Sequence, residues 1–206
     1  MRRSPLAVAA MAALVLAAGN AHAEAVTYKL DPNHTVVLAQ WDHGGYSHPV
    51  ANFGQVDGTL VYDADDIAAS SVQVTLPLAG LNSFVPKFDE HLRSDDFFDA
   101  AKYPNATFTS TKVEAAGEGR LKVTGDLTIK DQTRPVVLDV TLNKAGERNG
   151  RAAIGFDATA TVKRSDFGVD LFVPNIGDEV KLTITTEAMV PKPVAGAKEE
   201  AKAGAK

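Results

Sequence analysis

Few residues of this 206-residue chain have the types and spacing that chemistry requires. His43 and His48 lie close together and His91 stands far downstream, which raises a metal site or an acid–base pair. Neither spacing matches a zinc pattern such as two histidines one helical turn apart, so no metal is expected. Asp89, His91 and Ser94 are the residue types of a hydrolytic trio. Residues so close on one short helix cannot converge on a single reacting atom, and no catalytic residue is expected. The remaining polar candidates are mostly cations. Lys87, Arg93 and Arg164, with His43 and His91, could hold a phosphate or carboxylate head group, because arginine presents paired donors to such oxygens. A structural ion pair from Arg164 to Asp166, or to Asp89 across the end of the fold, is the more expected role for that arginine.

The stretch that carries several of these residues, Pro86 to Phe108, is the one part of the chain that does not read as strand. Pro86 can open a helix, where its missing N–H costs nothing, and Phe88, His91 and Leu92 then share a face at helical spacing, which predicts a helix from Pro86 to about Ser94. Ser94, Asp95 and Asp96 are expected to offer side-chain oxygens to the N–H groups of a turn that presents Phe97 and Phe98 side by side. Two such rings either plug the end of something hollow or cap an ordinary filled core.

The rest alternates. Strands are expected at Val26 to Leu30, at His34 to Asp42, and over a bent extended stretch from Tyr46 to Tyr62, with a turn at Asp31-Pro32-Asn33. Val72, Val74, Leu76 and Leu78 give a further strand. Beyond the helix come Ala106 and Phe108; Leu121, Val123, Leu127 and Ile129; Val136 to Leu142; Ile154 to Val162; and Val180 to Ile184. Turn signals stand at Ala116-Gly117, Asp131-Gln132, Gly146 to Gly150 and Gly177-Asp178. About eight antiparallel strands, each apolar on one face, fit a closed up-and-down barrel or a two-sheet sandwich, an all-β fold with one short helix. A barrel of that size is either just filled by side chains or holds one small ligand. The small residues Ala158 and Ala160 on an apolar face lean toward a ligand.

The ends have their own reading. Arg2 and Arg3, an apolar run from Leu6 to Ala18 and then Ala21-His22-Ala23 have the order of a secretory signal peptide, with cleavage expected after Ala23 and an exported or periplasmic destination. No later segment approaches the roughly 20 apolar residues of a membrane span. Removal of residues 1–23 takes away two of the 21 basic residues and none of the 26 acidic ones, moving the net charge from −5 to −7, which argues against a nucleic-acid partner. There is no cysteine, so disulfides are excluded. Residues 24–190 are expected to form one domain, and 191–206, rich in alanine and lysine, a disordered tail.

An ordered set of short motifs also runs along the chain: His34-Thr35, His43 with Gly45-Tyr46-Ser47, His91-Leu92-Arg93-Ser94 before Phe97-Phe98, Lys102-Tyr103-Pro104 with Ala106-Thr107-Phe108, Gly125-Asp126-Leu127-Thr128-Ile129, Arg164-Ser165-Asp166-Phe167-Gly168 and Gly177-Asp178-Glu179-Val180. In these the sequence resembles the YceI-like family of exported, lipocalin-like, polyisoprenoid-binding proteins. The resemblance covers roughly Tyr28 to Val190 and departs from the family pattern at Ala51 and at Lys87-Phe88. It implies an extended antiparallel eight-stranded lipocalin-like barrel whose interior takes a long isoprenoid or fatty chain, with no catalytic residue and no cofactor other than such a bound lipid. The competing class is an interaction or structural barrel with a filled core. Residues expected against the chain are Trp41, Tyr46, Phe53, Phe88, Leu92, Phe97, Phe98, Phe108, Phe156, Ala158 and Phe167. A homodimer is compatible with all of this.

Overall fold

The computed structural model describes residues 24–193; the expected leader, residues 1–23, and residues 194–206 of the expected tail lie outside them. The strands are β1 (Val26–Leu30), β2 (Val36–Trp41), β3 (Val50–Phe53), β4 (Asp57–Tyr62), β5 (Ser71–Pro77) and β6 (Leu81–Asn82). The helix α1 (Pro86–Arg93) follows, and then β7 (Asn105–Ala115), β8 (Arg120–Ile129), β9 (Gln132–Arg148), β10 (Arg151–Lys163) and β11 (Glu179–Met189). The short segments are halves of broken long strands, because β1 and β2 both lie beside the run β4 and β3, which in turn lies beside β5 and β6. Eight antiparallel staves result. The barrel closes at β11, which pairs with β10 on one side. On its other side it pairs first with β2, from Val180↔Trp41 to Thr185↔Val36, and then with β1 at Leu30↔Ala188.

Each break has a local cause. Between β1 and β2 the Asp31 carboxylate accepts the Asn33 N–H at 3.0 Å and bonds His34 Nδ1 at 2.8 Å, while the Thr35 hydroxyl donates to the Asp31 carbonyl. These bonds hold residues 31–35 out of the ladder, so the second strand starts at Val36 and not at the expected His34. The expected stretch from Tyr46 to Tyr62 likewise starts late, at Val50, and breaks at Gly54–Val56, where Gln55 has φ 56° and the Gly54 N–H reaches the Gly80 carbonyl at 2.9 Å. A side chain on Gly80 would collide with the Gly54 backbone, so the two bent strands pass each other there only because position 80 is glycine. The expected turn from Gly146 to Gly150 shrinks to Asn149-Gly150, with φ 53° and 72°. Asn-Gly closes a two-residue hairpin, and β9 runs through Gly146 to Arg148.

Inward positions follow the alternation. Leu121, Val123, Leu127, Val136, Val140, Ile154, Phe156 and Ala158 are buried, in one cluster with Phe108, Phe167 and Leu30. A smaller cluster of Leu81, Leu92, Phe97 and Val169 gathers where α1 meets the strands.

Candidate functional site

Inside the barrel lies a cavity of about 370 Å³. Close-packed interiors have few voids larger than a water molecule, and pockets for small organic ligands begin at roughly 300 Å³, so this barrel is not filled. Its wall is almost wholly apolar and runs the length of the staves, from Leu30, Tyr62 and Val113 at one end, past Phe108, Val136, Phe156 and Ala158, to Trp41, Phe53 and Phe88 at the other. The polar wall residues are Thr35, Ser70, Ser71 and Thr186 toward the first end and His43, His91 and Arg164 toward the second.

The second end is finished by α1 and the turn behind it. Trp41 and Phe88 stand with ring centroids 6.0 Å apart, and Phe98 meets Phe53 edge-on at 5.9 Å. The helix is anchored by Asp89, whose carboxylate accepts both the N–H and the hydroxyl of Ser83. The Ser83 hydroxyl bond holds the Asp89 carboxyl below its ordinary value; burial opposes this, and the Ser83 N–H and Arg93 assist it. Arg93 donates to the Leu81 carbonyl at 2.9 Å. The turn that presents Phe97 and Phe98 is built differently from expectation. Ser94 donates its hydroxyl to the His91 carbonyl at 2.7 Å instead of accepting, and backbone bonds such as Phe98 N–H to Leu92 O at 3.1 Å close the turn.

Among the described residues no carboxylate is in salt-bridge contact with Arg164, contrary to the ion pair expected with Asp166 or Asp89. Its guanidinium donates to four carbonyls, those of Gly177 (2.9 Å), Val169 (2.8 Å), Leu171 (2.9 Å) and Ile176 (3.0 Å), and so ties the segment 164–178 across the barrel end. The fork of donors suits converging loop carbonyls as well as it suits an anion. Burial pushes the Arg164 pKa down, while Asp178 and Asp170 act in the other direction. Asp178 in turn accepts the Ser165 N–H and hydroxyl at 2.9 and 2.8 Å.

Of the residues expected against a chain, Trp41, Phe53, Phe88, Leu92, Phe97, Phe98, Phe108, Phe156, Ala158 and Phe167 stand on the cavity wall. Tyr46 does not. The Asp42 carboxylate takes the Gly45 N–H, and the backbones of His43 and Ser47 close on each other, which turns the Tyr46 ring out to 94% exposure. Among the head-group candidates His43, His91 and Arg164 reach the wall, whereas Lys87 is exposed away from it and Arg93 is committed to Leu81. His91 Nε2 faces Asp96 at 3.4 Å. His43, His48 and His91 do not form the one grouping of metal-ligand types among the described residues, which is instead Asp31, His34 and Glu187, with ligand atoms within 4.8 Å of one another. There Asp31 is bonded to His34 and Glu187 is paired with Arg148. Sequence reasoning missed the wall residues Val169, Leu171, Phe172 and Ile176. Their signal was an irregular segment richer in large apolar residues than a solvated loop needs.

The YceI-like domain family model matches residues 28–188. Protein YceI of Escherichia coli O157:H7 is 37% identical over 195 residues, spanning 93% of this chain and 100% of that one. The crystal structure of Burkholderia cenocepacia BcnA matches with a TM-score of 0.71 at 27% identity, over 77% of this chain and 98% of that chain. A polyisoprenoid binding domain from Saccharophagus degradans, implicated in plant cell wall breakdown, shares the fold with a TM-score of 0.60 at 17% identity, over 80% of this chain and 98% of its own.

Proposed function

The chain belongs to the YceI-like family, and from that premise we propose that it is an exported, non-enzymatic carrier of a long-chain apolar molecule held in the barrel interior. A polyisoprenoid, an isoprenoid quinone or a fatty-chain lipid has the required chemistry. The observation that carries this reading is the cavity, an apolar bore of about 370 Å³ where a purely structural barrel would be packed. Burial supplies the main driving force. Each buried CH2 is worth about 0.8 kcal/mol, so ten to twelve of them give on the order of 8 to 9 kcal/mol before ordering costs, against roughly 8.2 for micromolar binding. The thin polar content of the wall fits such a cargo. Of its polar side chains at the α1 end, Arg164 is largely engaged with loop carbonyls, which leaves His43 and His91 to meet a polar terminus.

Mass spectrometry of organic extracts of the protein purified from its own envelope is the test, paired with displacement of a fluorescent long-chain probe followed through Trp41, the chain's single tryptophan. A co-purifying long-chain lipid and saturable displacement are expected. An empty barrel that also refuses every chain probe would end the carrier reading. Export has its own check, because intact mass of the secreted chain should begin at Glu24, after the Ala21-His22-Ala23 site.

A further inference from the structure

The α1 end of the barrel exposes aromatic residues that the interior does not use. β2 ends, β3 begins, β6 ends and β10 passes to β11 at this same end, so the segments 42–49, 83–85 and 164–178 form one rim. Tyr46, Phe84, Val85 and Phe172 stand on it with 94%, 67%, 54% and 55% of their surfaces exposed. The other large apolar residues exposed among the described residues, Val36 and Val137, are isolated on β2 and β9. The rim segments are also joined, with the Gly177 N–H bonded to the Asp42 carbonyl at 2.9 Å.

Two of these side chains are held outward at a cost. Phe84 and Phe172 have φ of 68° and 67°, in the left-handed region that bulky residues avoid. Each is fixed there by a neighbour, Phe84 by its N–H to Asn82 Oδ1 at 2.8 Å and Phe172 by its carbonyl accepting the Ile176 N–H at 2.8 Å. Strain maintained to keep phenylalanine in water points to use of the exposed ring. Phe172 is at once exposed and part of the cavity wall, so apolar surface runs unbroken from the interior to the rim.

Charge helps to identify what the rim meets. In sequence the acidic Glu90, Asp42 and Asp170 fall within four residues of Lys87, Tyr46 and Phe172, and the Asp42 carboxylate faces His48 at 3.7 Å, so the rim is not a basic patch for anionic surfaces. Tyrosine and phenylalanine tips among mixed polar groups suit the head-group boundary of a bilayer, where the ring is buried and polar neighbours stay wet. We infer that Tyr46, Phe84, Val85 and Phe172 form a docking surface for a lipid bilayer of low charge, through which the cavity opens directly onto the membrane. This rests on the carrier reading, since a water-insoluble chain entering by Phe172 would not cross open water.

The test uses the mature protein with sonicated phosphatidylcholine vesicles carrying no charged lipid, separated by centrifugation at low and high salt. The protein should partition to the vesicles equally at both salts. Phe84→Asn, a residue suited to the left-handed backbone, combined with Tyr46→Ser should lower the partition coefficient about tenfold, while Val137→Ser on the outer wall changes nothing. Neither rim position lines the cavity, so the double variant should still bind a fluorescent fatty chain in vesicle-free solution. Chain binding without vesicle partition of the parent would overturn the docking surface and leave the carrier intact; loss of chain binding by the parent itself would refute the carrier instead. Equal partition of parent and double variant, or a parent dimer that the double variant dissolves without any vesicle binding, would also overturn it.

Discussion

At the scale of single residues, two positions do work that their chemical type does not announce. Arg164 looks like an anion binder and is mainly a clamp on four carbonyls of the segment 164–178. Arg164→Leu leaves those carbonyls without donors, and urea unfolding is expected to show a loss of about 2 kcal/mol, the scale of hydrogen bonds to a charged group. A loss below about 0.5 kcal/mol would mean that water replaces the guanidinium at no cost. Gly125 is the second case. It faces inward on β8, where a Cβ would run into the Phe108 ring and come within 2.6 Å of the Thr109 carbonyl. The backbone cannot yield as a side-chain tip can, so Gly125→Ala should destabilise by roughly 1 to 3 kcal/mol in thermal or urea unfolding. The motif containing Gly125 was visible in the sequence. Its reason was not, because the ring that needs the space lies on another strand.

At the scale of elements, α1 was readable almost to the residue, since Pro86 at its start and apolar side chains at helical spacing are local signals. What holds it in place was not, because the Asp89–Ser83 anchor is a contact between the helix and the loop before it. That anchor carries a pH dependence. The Asp89 carboxyl is held below its ordinary value, about 3.9 for aspartate, so above about pH 5 its stabilising contribution is complete. As the pH falls, the unfolded chain takes up the proton first, and the contribution declines until it is gone below the depressed folded value. Trp41 lies against Phe88 of α1 and should report the release as a change in fluorescence on acidification. Ser83→Ala removes the largest cause of the depression, and the change should then begin at higher pH. An unshifted acid transition in that variant would show that Ser83 does not govern the anchor.

At the scale of the molecule, the question is whether the bore is open, and Ala158 asks it directly. It lies on β10 between Val140 and Ile184 of the neighbouring strands, buried and on the cavity wall. Ala158→Phe should keep the fold within about 1 kcal/mol while abolishing binding of a long-chain probe; in a filled barrel the same change would overpack and cost typically 1 to 3 kcal/mol. Thr159→Phe on the outer face is the control, and both readouts are taken on one sample. A variant that melts much earlier, or one that binds normally, would count against an open bore at this point. The sequence by itself determined the strand alternation, the helix α1 and the family. These are local or near-local signals, in which side-chain period reports which face is apolar. Alternation cannot say whether opposite walls of a barrel touch. That depends on closure, where β11 pairs with β1 and β2 across most of the chain, and on the bends at residues 31–35 and 54–56. Only the tertiary structure therefore decided that the interior is hollow, that Arg164 serves loop carbonyls and that Tyr46 faces water, because each is fixed by contacts no single stretch contains.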